Sequence, residues 1–570
     1  MPIAQHCQEF VMIAEVTTKK SKVELVKEAS RYLRGPIDTE LENGVDHFGE
    51  DSGLVLKFHG IYQQDDRDLR KSRKAQGLGP DYSFMIRVAI PGGTLSADQY
   101  LELDALSDKL ANTTMRITTR QAIQYHGVRK GGLKPLIQTL NDHLLTTLSA
   151  CGDVVRNVVA CPAPFVNRER SQILPYAYKV SNALKPKARA YYELWLDGEK
   201  AVSLEQEEPL YGETYLPRKF KIAFAYPGDN CVDAYTQDVG IVPVLDSNGD
   251  LEAFTLIVGG GLGQSHTVKE THPRLGNPMT TIKPAQLLPV LEGIVKVQRD
   301  HGRRDDRKFS RMKYLVEAWG IAAFREKVAE YVGFALPEAQ SLEWLSGDDH
   351  LGWHEQGDGK LFLGLFIENG RVKDNIRAGL RSVISSLRLD VRLTPQQNLL
   401  LVNIDPKDKP KLEAMLSEHQ IALPETLEPV VLQAMACPAF PTCGLAITEA
   451  ERVMPDVIRE IGTLISELGL ENAPVPHVRM TGCPNGCARP YSAEVGLVGR
   501  SLNSYALYLG GSPVGTRLSR EFQDNVHRDQ IIPVLKPILE QYRDTRESNE
   551  AFGDFCERVG FEKLRAHAQA

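Results

Sequence analysis

Nine cysteines in 570 residues are too few, and odd in number, for a disulfide framework. A reducing compartment, the cytoplasm, is therefore the expected setting. No apolar run approaches the length of a membrane span. The N-terminus has no apolar signal core, and Glu9 and Glu15 argue against a transit peptide. Excess positive charge is missing as well. A formal net charge of −7 argues against non-specific binding of nucleic acid or anionic membrane, so any basic cluster needs a local reason. There is no His-Glu-x-x-His motif and no serine-centred nucleophile elbow. The glycine loop at 259–263 fails as a dinucleotide fingerprint because Gln264 stands where glycine is needed, and the loop at 510–516 lacks the lysine of a phosphate loop. What remains is a globular chain with 42% hydrophobic and 25% charged residues, long enough for three or four domains.

Four of the nine cysteines fall in two pairs, Cys437-x5-Cys443 and Cys483-x3-Cys487. Four thiolates can hold an iron–sulfur cluster or a zinc ion. Neither pair has the Cys-x2-Cys spacing usual in structural zinc sites, which favours a cluster; zinc and unligated core cysteines remain as alternatives. Proline and glycine around both pairs keep the backbone open and irregular, as wrapping a cofactor demands.

The chain also repeats itself. Val159-Ala160-Cys161-Pro162-Ala163 matches Met435-Ala436-Cys437-Pro438-Ala439 at an offset of 276, as Arg116-Ile117-Thr118 matches Arg392-Leu393-Thr394 and Gln121 matches Gln397. Several matches at one offset imply duplication. In the first copy a turn at Pro91-Gly92-Gly93 precedes a helix with Tyr100, Leu103, Leu106 and Leu110 on one face, then a strand-rich segment over 115–125. In the second, Asn369-Gly370 precedes a helix face of Ile376, Leu380, Val383, Ile384 and Leu387, with strands over 391–402. The glycine loops at 259–263 and 510–515 correspond at a shorter offset, and close approach to a large ligand explains both better than plain tight turns, which remain the alternative. The segment 337–360 links the copies. Cys161 stands alone in the first copy and reads as a small core residue.

Cationic side chains cluster in several places. Arg87 ends an apolar strand; Arg116 and Arg120 share a strand face, as do Lys219 and Lys221; Arg156 precedes Asn157; and Arg303, Arg304, Arg307, Lys308, Arg311 and Lys313 form a further group. In a net-acidic chain they suggest a polyanionic cofactor and a small anionic substrate.

These segments resemble the sirohaem sulfite and nitrite reductases, in particular the haemoprotein (beta) components of assimilatory NADPH-dependent sulfite reductases. The resemblance covers essentially the whole chain. It is carried by Thr481-Gly482-Cys483-Pro484-Asn485-Gly486-Cys487 with the Cys437/Cys443 pair, by Arg116-Ile117-Thr118-Thr119-Arg120-Gln121, by Leu216-Pro217-Arg218-Lys219-Phe220-Lys221, and by Arg31-Tyr32-Leu33-Arg34-Gly35 with the segment from Phe58 to Asp68. It implies an α+β, mixed α/β, pseudo-twofold fold. That fold has an N-terminal extension (1–80), two ferredoxin-like halves sharing a sheet (81–160 and 346–425) and two larger repeats (161–345 and 426–570). It implies a 4Fe-4S cluster on Cys437, Cys443, Cys483 and Cys487, with Cys487 bridging to the sirohaem iron. Arg87, Arg156, Lys219 and Lys221 match substrate-binding cations. Arg116, Arg120, Gln121, Arg307, Lys308 and Arg311 match sirohaem contacts, Arg311 standing where the family has lysine. Sirohaem carries eight carboxylates, and burying them needs cationic partners. The implied activity is six-electron reduction of sulfite to sulfide, in sulfate assimilation and cysteine biosynthesis. Electrons would come from a flavoprotein carrying FAD and FMN and using NADPH. Nitrite reductase is the main rival, and Lys221 the discriminating residue, since asparagine tends to stand there in that branch. A ferredoxin-dependent sulfite reductase and a zinc-stabilised scaffold are the others.

Overall fold

The computed structural model describes residues 19–187, 194–196, 199–202 and 208–568; the first 18 residues of the expected extension, including Cys7, Glu9 and Glu15, lie outside these. The duplication governs the architecture. Two five-stranded sheets come from the half units. One runs in the order Ile61–Asp65, Tyr82–Val88, Ile123–Val128, Met115–Ile117, Arg371–Val372. Its counterpart runs Gly352–Glu355, Leu361–Leu365, Leu399–Ile404, Asp390–Leu393, Thr94–Leu95. The sharing between halves is thus an exchange, in which each lends its partner one short edge strand. Gly93 and Gly370 permit it. Both have positive φ (71° and 73°), and a Cβ at either would lie 2.5 Å and 2.4 Å from a carbonyl of the other half, Leu393 O and Ile117 O respectively.

Two helices pack on each half sheet, Ala97–Leu110 with Leu133–Asp142 and Asp374–Leu387 with Lys409–Glu418. Ser96 and Gln99 form a reciprocal capping box at the start of Ala97–Leu110, whose Tyr100, Leu103 and Leu106 are buried. The twin helix Asp374–Leu387 buries Leu380, Val383 and Ile384. The two meet through Arg377, whose Nε donates to Asp104 Oδ1 at 2.6 Å. Their apolar faces and both sheets form one continuous core.

The larger repeats each hold a further five-stranded sheet with helices packed on it. The first has Val159–Ala160, Ile222–Phe224, Val239–Leu245, Leu251–Val258 and Asn277–Ile282 as successive neighbours. The second has Ala434–Ala436, Val478–Thr481, Val495–Ser501, Ser504–Leu509 and Arg520–His527. Their registers coincide. Val159 pairs with Ala223 as Met435 does with Arg479, and Val239 pairs with Ile222 as Val495 does with Val478. The first strands are therefore related by the offset 276, but the second and third by 256. The repeats clasp head to head. Asp233 and Arg489 occupy equivalent positions, both left-handed, and pair with each other at 3.0 Å.

Two expectations need adjusting. Arg116 and Arg120 do not share a strand face: the strand ends at Ile117, and Thr118 to Gln121 form a turn closed by Gln121 N donating to Thr118 O. The linker is also partly sheet, because Gly352–Glu355 is the edge strand of the second half. Among the described residues no helix is long and apolar enough to cross a membrane.

Candidate functional site

The two cysteine pairs of the second repeat leave the ends of adjacent parallel strands. Cys437 follows Ala434–Ala436, and Cys483 follows Val478–Thr481, with Cys443 and Cys487 in the loops beyond. Gly482 lets these loops interlock: a Cβ there would lie 2.4 Å from Thr448 O and 2.7 Å from Ala439 Cβ. Its N–H points at Cys437 Sγ (3.4 Å), and Asn485 Nδ2 donates to Cys483 Sγ (3.5 Å). Cys437 and Cys483 are buried, Cys443 half-buried and Cys487 exposed; none is in a disulfide.

The donor set fits a cluster better than one ion. Among the described residues, no three of these four sulfurs come within 4.8 Å of one another, whereas ligands of a single tetrahedral zinc lie about 3.3–3.8 Å apart. Burial pushes the thiols of Cys437 and Cys443 up, and that of Cys483 up to about 12, with the Cys487 sulfur adding to each rise. Four sulfurs that crowd and repel one another as thiolates call for cationic metal among them.

The extension contributes a clamp that the sequence did not reveal. Arg67 Nη1 donates to the carbonyls of Cys443 (3.0 Å) and Ala446 (2.6 Å), and its guanidinium lies 4.4 Å from the Phe440 ring centre. Removing a charged donor from two carbonyls costs on the order of 2–3 kcal/mol. Arg67→Ala is therefore expected to speed iron release to a chelator by at least about tenfold, and an unchanged release rate would show that the loop holds itself.

Above Cys487 lies a cleft lined by Arg120, Lys219, Lys221, Arg311 and Arg489. Lys219 and Lys221 flank Phe220, which bridges to Val155 and is buried on the other side. Alternation thus turns both ammonium groups into the cleft. Among the described residues neither Nζ has a hydrogen-bond or carboxylate partner, and the same holds for the Arg218 guanidinium. Burial first, then Arg218 and Arg311, bring Lys219 down to about 7; burial and Lys219 hold Lys221 well below the ordinary lysine range. Burial and Arg156 pull the Arg120 guanidinium down to about 9. Its Nε and Asn157 Oδ1 are buried without partners. A cationic cavity in which two buried ammonium groups and several polar atoms lack partners is what a polyanionic macrocycle and an oxyanion would satisfy.

The other expected residues are placed as follows. Arg87 lies beside Cys151, its Nη1 2.9 Å from Sγ, within the electrostatic reach of Cys487 and Tyr62. Arg156 is buried, with Nε donating to Gly152 O. Arg311 is locked to Asp238 (2.9 and 3.3 Å), while Lys313 two residues on donates to the carbonyls of Gly261 and Gly263. Arg307 forms a two-pronged pair with Asp153 (2.7 and 2.9 Å), and Lys308 is exposed. Arg116 backs the cluster strand, donating to Ala436 O (2.8 Å) and Glu451 (3.2 Å). Gln121 spends its amide on Ala160 and Leu393, at the seam between halves. The glycine loops do make close approaches: within their own repeats, where a Cβ at Gly260 would lie 2.1 Å from Tyr235 O and one at Gly511 2.2 Å from Ala493 O, and across to the opposite repeat, Gly263 to Asn485 and Gly515 to Asp233. Cys161 is a correction. It is half-buried and packs against a small apolar cluster with Val159 and Cys231, but its sulfur faces Arg170, Asp229 and His350, so it is more than a small core residue.

A lysine whose folded value lies below its unfolded value of about 10.4 is a charge forced into a poor environment. For Lys219 the unfolded chain holds more protons between about pH 7 and pH 10, so stability must rise with pH across that window. In cofactor-free protein, Lys219→Met is expected to raise stability at pH 7 by on the order of 1–2 kcal/mol, part of the shift being screened by water in the open cleft. The advantage should fade by pH 10. A destabilised variant at pH 7 would mean that the ammonium has a partner.

Comparison with known proteins gives this geometry a family. A domain described as "Nitrite and sulphite reductase 4Fe-4S domain" matches residues 177–336 and 429–570, and a "Nitrite/Sulfite reductase ferredoxin-like half domain" matches 77–143 and 354–419. The chain is 45% identical to a sulfite reductase (ferredoxin) of Synechococcus elongatus, covering 97% of this chain and 91% of that one. It is 44% identical to a sulfite reductase (NADPH) hemoprotein beta-component of Staphylococcus carnosus, covering 94% and 95%, and 42% identical to one of Geobacillus kaustophilus, covering 95% and 96%. Its fold is similar to the solved structure of the Mycobacterium tuberculosis NirA protein, with a TM-score of 0.80 at 23% identity over 97% of this chain and 99% of that one. With both copies of both domains matched, the chain belongs to the nitrite and sulphite reductase family, among the sulfite reductase haemoproteins that pair a 4Fe-4S cluster with sirohaem.

Proposed function

We propose that this chain carries out the six-electron reduction of sulfite to sulfide in the cleft above Cys487, with electrons delivered by an NADPH-dependent flavoprotein carrying FAD and FMN. The proposal rests on one observation: Lys219 and Lys221 turn into the cleft beside the exposed Cys487, and neither ammonium group has a hydrogen-bond or carboxylate partner among the described residues. When bound, sirohaem and the cluster supply the electrons and the iron centre at which sulfur–oxygen bonds break. The protein's residues do the rest. Cys437, Cys443 and Cys483 would hold the cluster, and Cys487 would hold it while bridging to the haem. Arg120 and Arg311 would meet carboxylates of the macrocycle, and Arg307 and Lys308 would extend that rim. Arg116 and Gln121 would act from behind, by fixing the Ala436 and Ala160 strands. Arg87, Arg156, Lys219 and Lys221 would bind the oxyanion. Each oxygen leaves as water, so protons are consumed at every stage. Lys219 Nζ, titrating near neutral pH, is suited to give one up and regain it.

Ferredoxin as donor is a second reading, favoured by the similarity to the Synechococcus enzyme. Sulfide formation from sulfite with a chemical reductant tests the chemistry. Replacing that reductant with flavoprotein plus NADPH, or with reduced ferredoxin, tests the donor. No sulfide with the chemical reductant at full cofactor occupancy would overturn the function, whereas turnover with ferredoxin alone would overturn only the flavoprotein.

A further inference from the structure

Away from the cleft, the first repeat holds a second group of metal-binding side chains. The ligand atoms of Cys161, Asp229, Cys231 and His350 all lie within 4.8 Å of one another. Cys161 Sγ is 3.5 Å from Asp229 Oδ2 and 3.9 Å from His350 Nε2, and those two atoms are 3.1 Å apart. Ligands placed tetrahedrally about 2.0–2.3 Å from one ion lie about 3.3–3.8 Å from each other. The geometry points to a mononuclear Zn2+ site formed by Cys161, Cys231, His350 and Asp229, a structural centre separate from the cluster.

Three further features agree. The first is orientation. Cys231 N–H takes up Asp229 Oδ1 (3.0 Å) and leaves Oδ2 facing the sulfurs. His350 turns Nδ1 toward Asp348 (3.9 Å) and Nε2 inward, and a carboxylate behind a histidine is the usual support for a zinc ligand. The second is charge. Two thiolates and a carboxylate around a divalent ion leave one net negative charge, and Arg170 answers it. Its Nη1 lies 3.0 Å from Cys161 Sγ and its Nη2 3.3 Å from Asp229 Oδ2, with the guanidinium fixed 4.0 Å from the Tyr226 ring centre.

The third is the duplication itself. Cys161 lies two residues beyond Val159, as Cys437 lies two beyond Met435, and those strands share one register. Cys231 lies eight residues before Val239, as Cys487 lies eight before Val495, again in one register. The two thiols of the new site are therefore the twofold mates of two cluster cysteines. Asp229 and His350 complete the donor set. Zinc here would tie the linker to the first repeat, reinforcing the Asn230 N to Ser346 O hydrogen bond (2.8 Å). Beside it a cavity of about 560 Å3, lined by Cys161, Phe165 and Arg170, offers a route of entry.

The test is made on cofactor-loaded protein. After incubation with zinc and passage over a chelating resin, about one zinc per chain is expected beside the iron. Zinc-edge X-ray absorption, blind to the iron, is expected to show two sulfurs at about 2.3 Å and two nitrogen or oxygen neighbours at about 2.0–2.2 Å. His350→Ala and Cys231→Ser should each lower retained zinc at least about tenfold while iron content and visible spectrum stay as in the parent protein. The proposal is overturned by retention under about 0.1 zinc per chain, by a shell of nitrogen and oxygen alone, by zinc content indifferent to His350→Ala, or by a Cys161–Cys231 disulfide in zinc-free protein. If neither variant folds, the absorption spectrum of the parent protein decides.

Discussion

Cys487→Ser is expected to abolish sulfite reduction, with turnover down at least about a thousandfold, while the chain folds and keeps part of its iron. Cys487 differs from the other three cysteines proposed to hold the cluster in being exposed, on the floor of the cationic cleft. Serine fits there sterically: the loop is held by its backbone, with Thr119 Oγ1 donating to Cys487 O (3.2 Å) and Arg489 N to Gly486 O (3.0 Å). What is lost is chemical. A hydroxyl is a harder and poorer partner for iron than a thiolate, and the proposed bridge between the two redox groups goes with the sulfur. Cys443→Ser, by contrast, should cost iron content without a specific change in the haem spectrum, since Cys443 sits away from the cleft. The checks are sulfide production, iron per chain and the visible spectrum. Full activity with a parent-like spectrum in Cys487→Ser would rule out the bridging role.

How much of this was legible beforehand follows from the physics of each signal. The four cysteines and the duplication are local patterns and can be read directly. The twin helices behind Tyr100 and Leu380 follow from 3.6-residue periodicity. The exchange of edge strands was not legible, because Thr94–Leu95 and Arg371–Val372 are two residues long and carry no alternation. Arg120 was misplaced because period-2 reasoning runs straight through a turn: the strand stops at Ile117, and the positive φ of Gln121 that closes the turn leaves no mark in composition. Cys231 went unnoticed as a counterpart of Cys487 because the first repeat is longer between its first two strands, so a match at offset 276 slides past one at 256. Arg67 lies 376 residues from the Cys443 carbonyl it holds, and no local pattern announces such a contact.

Lys221→Asn is expected to lower kcat/KM for sulfite far more than for nitrite, moving their ratio at least about tenfold toward nitrite. Lys221 has neighbours of its own sign: burial first, then Lys219, Arg120 and Arg311, hold it below the lysine range, and only Asp238 opposes them. Its charged form thus becomes favourable when an anion enters, and more so the more charge that anion carries. Two unit charges 4 Å apart at an effective dielectric near 20 interact by about 4 kcal/mol, so the second negative charge available to sulfite but not to nitrite is worth a substantial fraction of that. Asparagine keeps a donor but loses both the charge and the exchangeable ammonium protons. The fold should tolerate the change, since asparagine is smaller and Lys221 anchors the chain through its backbone N–H to Asp238 Oδ2 (2.9 Å), which the variant retains. Equal losses for both anions at full cofactor occupancy would mean that Lys221 binds anions without reading the difference in their charge. A ratio moved toward sulfite would remove it as the discriminating residue.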